Sequence, residues 1–81
     1  MLISERRFDL LSGQYQLSPT QRELVRHLLC GIVRDRDVAP LLKSSPRTIP
    51  VHWERIFKKM HLATRAEVLH RFVADAKTMR P

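Results

Sequence analysis

The sequence predicts a small all-α fold in which four short helices follow an N-terminal helical extension. The length of 81 residues provides for one domain at most. Apolar residues recur at helical spacing in segments that turn residues separate. Two capping-box signatures mark helix starts, Ser18 with Gln21 and Thr64 with Glu67. A chain this short buries only about 60% of its unfolded surface, so we expect no enzyme and no catalytic pocket.

Residues 1–16 form the N-terminal extension, which we expect to contain a short helix. Ser4 is a suitable N-cap, and Phe8 and Leu11 lie on one face of the turns that follow. Gly13, directly after a serine, is the expected helix end. Two alternatives remain open for this segment: it packs on the domain through these two apolar side chains, or it is free of the domain.

Residues 17–81 form the main domain, and its first helix has the clearest start signal. Ser18 is the expected N-cap, Pro19 occupies the first helical position, and Gln21 completes the capping box. Gly31 is the expected stop. The apolar stripe of this helix consists of Leu24, Val25, Leu28 and Leu29.

The second helix of the domain is expected from Asp35 to Lys43. Pro40 would then lie deep in the helix, where proline is unfavourable. If Asp37 caps the helix instead, Pro40 becomes a tolerated third position. The residues expected to point inward are Val38, Leu41 and Leu42.

The third helix is amphipathic and ends near Met60. Ser45 followed by Pro46 is a start signal, yet Pro50 would cost roughly 3 kcal/mol in a helix interior. A start nearer Thr48 or Ile49 would make this proline harmless. The apolar face consists of Ile49, Trp53, Ile56, Phe57 and Met60.

The capping box of Thr64 and Glu67 marks the start of the last helix. This helix carries two apolar stripes. Val68 and Phe72 form the narrower stripe. A single small core rarely needs both, so either the core-facing surface is wide or part of it meets a partner, most simply a second copy. The wider stripe consists of Ala66, Leu69, Val73 and Ala76.

The charge is strongly positive and is concentrated in one part of the chain. Fifteen Lys and Arg residues oppose eight Asp and Glu, giving a net charge of +7 and a pI of about 10.8. Between Lys43 and Arg65 the only acid is Glu54. This distribution indicates either a solvated helix face or a surface for an anionic partner such as nucleic acid.

Cysteine and histidine usage favours a cytoplasmic protein without a metal or cofactor. The single cysteine, Cys30, cannot form an intrachain disulfide. His27 lies three residues before it, but the chain lacks the paired short spacings of a zinc site. We expect a buried Cys30 and surface histidines. No signal peptide and no apolar run of about 20 residues is present, so we expect no membrane association.

Short helices with a tight connection are typical of a helix-turn-helix, whose reading helix enters the DNA major groove. The motifs occur in the order Leu17–Leu24, Asp37–Ala39, Arg47–Ile49, His52, Ile56, Lys58–Met60 and Thr64–Glu67. Over about residues 17–73, this pattern closely resembles the LuxR/GerE-type DNA-binding domain.

The resemblance implies a bacterial transcription regulator that binds two DNA half-sites as a homodimer. It also implies that dimerisation uses the last helix. Because only sixteen residues precede Leu17, we expect no receiver or ligand-binding domain in this chain, which would be a short, stand-alone member or a fragment. The implied dimer-interface residues are Ala66, Leu69, Val73 and Ala76.

The resemblance places the DNA-binding residues on and just before the third helix. Thr48 and the basic pair Lys58 and Lys59 match phosphate contacts, and Val51 matches a position that meets base edges. Arg55 can contact a guanine or a phosphate. The complete predicted set is Arg47, Thr48, Val51, Glu54, Arg55, Lys58 and Lys59.

Two reading positions depart from the family pattern. Pro50 stands where relatives usually carry a lysine, and Glu54 stands where a basic or polar reader is common. Two alternatives therefore remain open beside a sequence-specific regulator. One is a protein-interaction module or antagonist that has lost sequence-specific readout and binds another regulator. The other is a nonspecific nucleic-acid binder.

Overall fold

A computed structural model describes residues 2–78 of the chain, with side chains through residue 74. The described part is all-helical, which confirms the predicted fold class. In chain order, the elements are α1 (Glu5–Gln14), α2 (Pro19–Leu29), α3 (Asp35–Val38), a 3₁₀ turn (Pro40–Leu42), α4 (Ile49–Met60) and α5 (Arg65–Thr78).

The predicted N-caps of α1 and α2 are confirmed. The Ser4 hydroxyl accepts a hydrogen bond from the backbone N–H of Arg7 at 3.3 Å. The Ser18 hydroxyl accepts from the Gln21 backbone N–H at 3.3 Å, and the Gln21 Oε1 accepts from the Ser18 backbone N–H at 2.9 Å. These bonds satisfy backbone N–H groups that the first turn of a helix leaves without helical partners.

The connections after α1, α2, the 3₁₀ turn and α4 each contain one residue in the left-handed conformation. These residues are Gln16 (φ 56°), Gly31 (φ 91°), Lys43 (φ 53°) and His61 (φ 57°). The N–H of the next residue bonds the carbonyl five positions back, as in Leu62 to Phe57 at 3.0 Å. The Gly31 stop is confirmed. The stop predicted at Gly13 is wrong, because α1 continues to Gln14 and the chain turns at Gln16 instead.

α3 is shorter than predicted, because the segment from Asp35 to Lys43 divides at Pro40. Pro40 has no N–H to bond the carbonyl four residues back, so the chain tightens into a 3₁₀ turn there. Val38 is buried and Leu42 is half-buried, as expected. The prediction that Leu41 points inward is wrong, since 54% of this residue is exposed.

The alternative cap of the same helix is also wrong. The N-cap residue is Arg34, without a side-chain capping bond, and Asp37 lies inside the first turn. Both Asp35 and Asp37 therefore lie near the positive end of the helix dipole, where carboxylates are favourable.

α4 begins at Ile49, which confirms the late start and rules out Ser45 as its first cap. The residues from Ser45 to Thr48 form a turn in which the Thr48 N–H bonds the Ser45 carbonyl at 3.0 Å. Pro50 is consequently in the first turn, where its missing N–H leaves no helical bond unmade. The buried side chains of α4 are Ile49, Trp53, Ile56 and Met60, while Phe57 is half-buried and stacks on Trp53.

α1 packs on α5 and shares one core with the rest of the chain. Phe8 and Leu11 are fully buried, and the Phe8 ring centroid lies 5.9 Å from that of Phe72. Val68 and Phe72 are fully buried as well. The narrower stripe of α5 therefore faces the core, and α4 is held against α2 and α5 beside it.

Candidate nucleic-acid interface

The outward face of α4 carries four exposed side chains of contrasting chemistry. Val51, Glu54, Arg55 and Lys58 follow one another at intervals of three, one and three residues, which places them on one side of a helix. Val51 is 44% exposed despite being apolar. The opposite side of α4 lies in the core, so the helix is held from behind while this face remains open.

The turn before α4 adds two further exposed residues, Arg47 and Thr48. The Thr48 hydroxyl lies 2.9 Å from the Ser45 hydroxyl, and the two share a hydrogen bond. This bond holds the Thr48 side chain at the N-terminal end of α4. The turn and the helix face together form a continuous candidate surface.

The positive charge of this surface is not neutralised within the described side chains. In residues 2–74, Arg47, Arg55 and Lys58 take part in none of the ion pairs. Four acids of α1, α2 and α3 pair instead with basic residues of α2 and α5. These pairs are Asp9 with Arg22, Glu5 and Glu23 with Arg26, and Asp35 with Arg65.

The guanidinium of Arg26, in α2, contacts two residues of α1. It donates a hydrogen bond to the Glu5 carboxylate, and this bond raises the pKa of Arg26 above its ordinary value. The same guanidinium lies 4.6 Å from the centroid of the Phe8 ring. Arg26 therefore stabilises the packing of α1 on α2 and is not part of the open charged surface.

The side chain of Arg65 makes contacts within the fold and is not part of the open charged surface. Its guanidinium donates two hydrogen bonds to the Asp35 carboxylate, at 2.6 and 3.3 Å. It also lies 5.3 Å from the centroid of the Trp53 ring. Arg65 thus connects α3, α4 and α5, and it is one of the basic residues that the sequence places in the charged region. Its acidic partner is thirty residues away, too far in sequence to be inferred.

Lys59 differs from its neighbour Lys58 in its surroundings. The Lys59 ammonium donates to the Gln16 carbonyl oxygen at 2.8 Å and to the Gln21 Oε1 at 2.7 Å. It therefore reaches back to the corner between α1 and α2. Lys58 has no such intrachain contact within the described residues and lies on the outward face.

The two residues that depart from the LuxR/GerE-type pattern, Pro50 and Glu54, occupy different positions. Pro50 is exposed at the second position of α4, at the edge of the surface. Glu54 is exposed in the middle of the outward face, within one helical turn of Val51 and Lys58. The acid therefore interrupts an otherwise basic and apolar surface where a partner would make contact.

The predicted dimer-interface residues of α5 do not share one environment. Ala66 is exposed and lines a groove of about 290 Å³ with Leu62 and His70. Leu69 and Val73 are half-buried against the core, so each presents only part of its surface. The side chain of Ala76 lies outside the described residues.

The predicted burial of Cys30 is wrong, because this residue is exposed at the C-terminal cap of α2. Hydrogen bonds from its backbone N–H to the end of α2 place it there. Among the residues that the structure describes, no three His, Cys, Asp or Glu side chains come together as metal ligands. No described helix is long and apolar enough to cross a membrane.

Sequence comparison finds similar regions in proteins that are named as regulators. Over 66 residues, 82% of this chain is 32% identical to the tetrathionate response regulatory protein TtrR of Salmonella typhimurium. Over 57 residues, 70% of the chain is 35% identical to proteins named as HTH-type transcriptional regulators in Mycobacterium bovis and Mycobacterium tuberculosis. The first relative is named as a response regulatory protein and the other two as transcriptional regulators.

The aligned region is a minor part of each relative. The match covers 32% of TtrR and 6% of each mycobacterial protein. No protein-family model and no solved structure matches the chain. The comparisons therefore relate this chain to one region of larger proteins that are named as regulators.

Proposed function

We propose that this chain is a DNA-binding transcription regulator whose α4 enters the major groove through its outward face. The observation that carries the proposal is the open surface of α4, where Arg55 and Lys58 remain unpaired within the described residues while the opposite face is buried. Such a helix can be held rigidly by the core and still reach base edges and phosphates.

Each residue of the surface has a chemical role in this proposal. Lys58, Arg47 and Thr48 contact phosphates, which supplies affinity through counterion release. Val51 contacts a thymine methyl group, Arg55 a guanine or a phosphate, and Glu54 a cytosine amino group. Lys59, the remaining member of the predicted set, already donates to two intrachain oxygens.

The finer assignment, a LuxR-type domain that acts as a homodimer, is part of the same proposal. It is supported by the order of capping, core and loop motifs in the sequence. The exposed side of α5 around Ala66, with the half-buried Leu69 and Val73, is the surface that would meet a second copy. A dimer would place two α4 helices on half-sites about one DNA turn apart, roughly 34 Å.

The test is a titration of fluorescent duplexes with the protein at several salt concentrations, together with selection of binding sites from random sequence. We expect Lys58→Ala to weaken binding to all sequences and to lower the slope of log K against log salt by about 0.9. Arg55→Ala should change the selected site. Arg6→Ala is the matched control, because Arg6 is an exposed residue of α1 remote from α4 in the chain.

The competing function is a protein-interaction module that has kept the fold without DNA readout. Glu54 in the middle of the surface favours the interaction-module hypothesis, because a carboxylate is repelled by phosphates. If no duplex binds even at low salt, the DNA-binding proposal fails and the interaction module replaces it. Binding without enrichment of any site would leave a nonspecific nucleic-acid binder.

A further inference from the structure

The two adjacent lysines near the end of α4 look equivalent in sequence but differ in the structure. Successive residues of a helix are rotated by about 100°. Lys58 therefore shares the outward face with Val51 and Arg55, whereas Lys59 lies on the flank between this face and the core. The flank faces the corner where α1 ends and α2 begins, as the two hydrogen bonds of Lys59 show.

The acceptors at that corner are themselves fixed in place. Gln16 has the left-handed conformation that turns the chain after α1, and its N–H bonds the Gly13 carbonyl at 3.1 Å. Gln21 is only 5% exposed, and its Oε1 also accepts from the Ser18 backbone N–H. An ammonium group has three donors and no acceptor, so two carbonyl-type oxygens suit it well.

We propose that Lys59 is a positioning residue, which braces the C-terminal end of α4 on the α1–α2 corner rather than contacting a phosphate. Two of the three ammonium hydrogens are used at distances of 2.7–2.8 Å, typical of charge-assisted hydrogen bonds. The brace connects the last turn of α4 to residues 38 and 43 positions away in sequence. It limits rotation of α4 about its own axis and so sets the direction of the outward face.

The DNA part of this inference rests on the proposed function. If α4 reads the groove, a change in its orientation alters binding geometry without changing the number of phosphate contacts. Charge loss at a phosphate contact and misplacement of the helix therefore have different signatures. The first lowers the salt dependence of binding, and the second lowers affinity at an unchanged salt dependence.

The experiment compares Lys59→Met with Lys58→Met, since each removes one ammonium and keeps a flexible stem of similar length. Duplex affinity is measured at several salt concentrations, at a temperature where each variant is folded, and thermal unfolding is followed by circular dichroism. We expect Lys59→Met to lower Tm by about 3–6 °C and duplex affinity by roughly 3–10-fold, with the salt slope unchanged. Lys58→Met should lower the slope by about 0.9 with little change in Tm.

A double variant that combines Lys59→Met with Gln21→Met tests whether the decrease in Tm depends on the hydrogen bond between Lys59 and Gln21. In the Gln21→Met background, Lys59→Met should lower Tm by less than it does in the natural sequence. Lys59→Arg provides a second single variant that keeps the charge. A phosphate contact would tolerate this change, whereas the brace predicts a lower Tm because a planar guanidinium does not reproduce the ammonium geometry.

Three outcomes would overturn the inference. A lower salt slope for Lys59→Met with an unchanged Tm would identify Lys59 as a phosphate contact. A lower Tm with unchanged duplex affinity would make its role purely structural. An unchanged Tm in both Lys59 variants would show that the hydrogen bonds of Lys59 do not hold α4 in place. If the natural protein binds no duplex, the proposed function fails, and the unfolding measurements still decide whether the brace exists.

Discussion

Replacing Arg65 with methionine should destabilise the fold, although the residue lies in the most basic part of the chain. The two hydrogen bonds to Asp35 are partly shielded, because the side chains of Arg65 and Asp35 are only 30% and 27% exposed. A bidentate pair in this environment contributes about 1 kcal/mol, and the position over Trp53 adds roughly 0.5–1 kcal/mol. We therefore expect a loss of about 1.5–2 kcal/mol.

The assay is thermal unfolding of Arg65→Met, Asp35→Asn and the double variant. For a domain of this size, the expected loss corresponds to a decrease in Tm of about 6–16 °C. The double-mutant cycle should give a coupling energy of about 1 kcal/mol between the two residues. Arg36→Met is the matched control, because Arg36 is exposed on the same helix as Asp35 and is unpaired within the described residues; its effect should stay within about 0.5 kcal/mol.

Two results would refute this reasoning. The first is a loss below about 0.5 kcal/mol for Arg65→Met, the amount that an ordinary exposed arginine contributes. The second is a coupling energy near zero, which would mean that the two side chains act independently. Either result would mean that the Arg65 side chain is available to contact an anionic partner.

Three further predictions concern stability and are checked by the same unfolding measurements. Ser12→Ala should raise stability by about 1 kcal/mol, because the Ser12 hydroxyl is fully buried without a hydrogen-bond partner among the described residues; a loss would indicate an unseen partner. His61→Gly should add roughly 0.5–1 kcal/mol, since glycine adopts the left-handed conformation without strain, and no gain would mean that this strain is small. Phe8→Ala should cost about 3–5 kcal/mol, because α1 belongs to the core; a loss under 1 kcal/mol would mean that α1 packs only loosely.

Features that depend on neighbours within one helical turn could be predicted from the sequence. The Ser18 capping box requires only residues three apart, and its two hydrogen bonds formed as expected. The late start of α4 followed from Pro50 alone, because proline is tolerated only in the first turn. The buried stripe of α4 followed from helical periodicity, with Phe57 at its edge.

The local predictions that proved wrong concern helix ends that contacts with distant parts of the chain decide. Gly13 can end a helix, yet α1 continued because the turn at Gln16 brings Leu17 to the core, where it is 8% exposed. Proline could have been accommodated by moving the start of α3 to Asp37. The chain instead kept the start at Asp35, whose carboxylate meets Arg65, and tightened at Pro40.

By itself, the sequence determined the helical fold class, most helix starts and the concentration of positive charge around α4. Only the tertiary structure decided which basic residues remain open to a partner. Arg65 and Lys59 find their acceptors thirty or more residues away, whereas Arg55 and Lys58 find none within the described residues. Hydrogen bonding acts over about 3 Å in space, and a linear pattern does not reveal which distant residues folding brings within that distance.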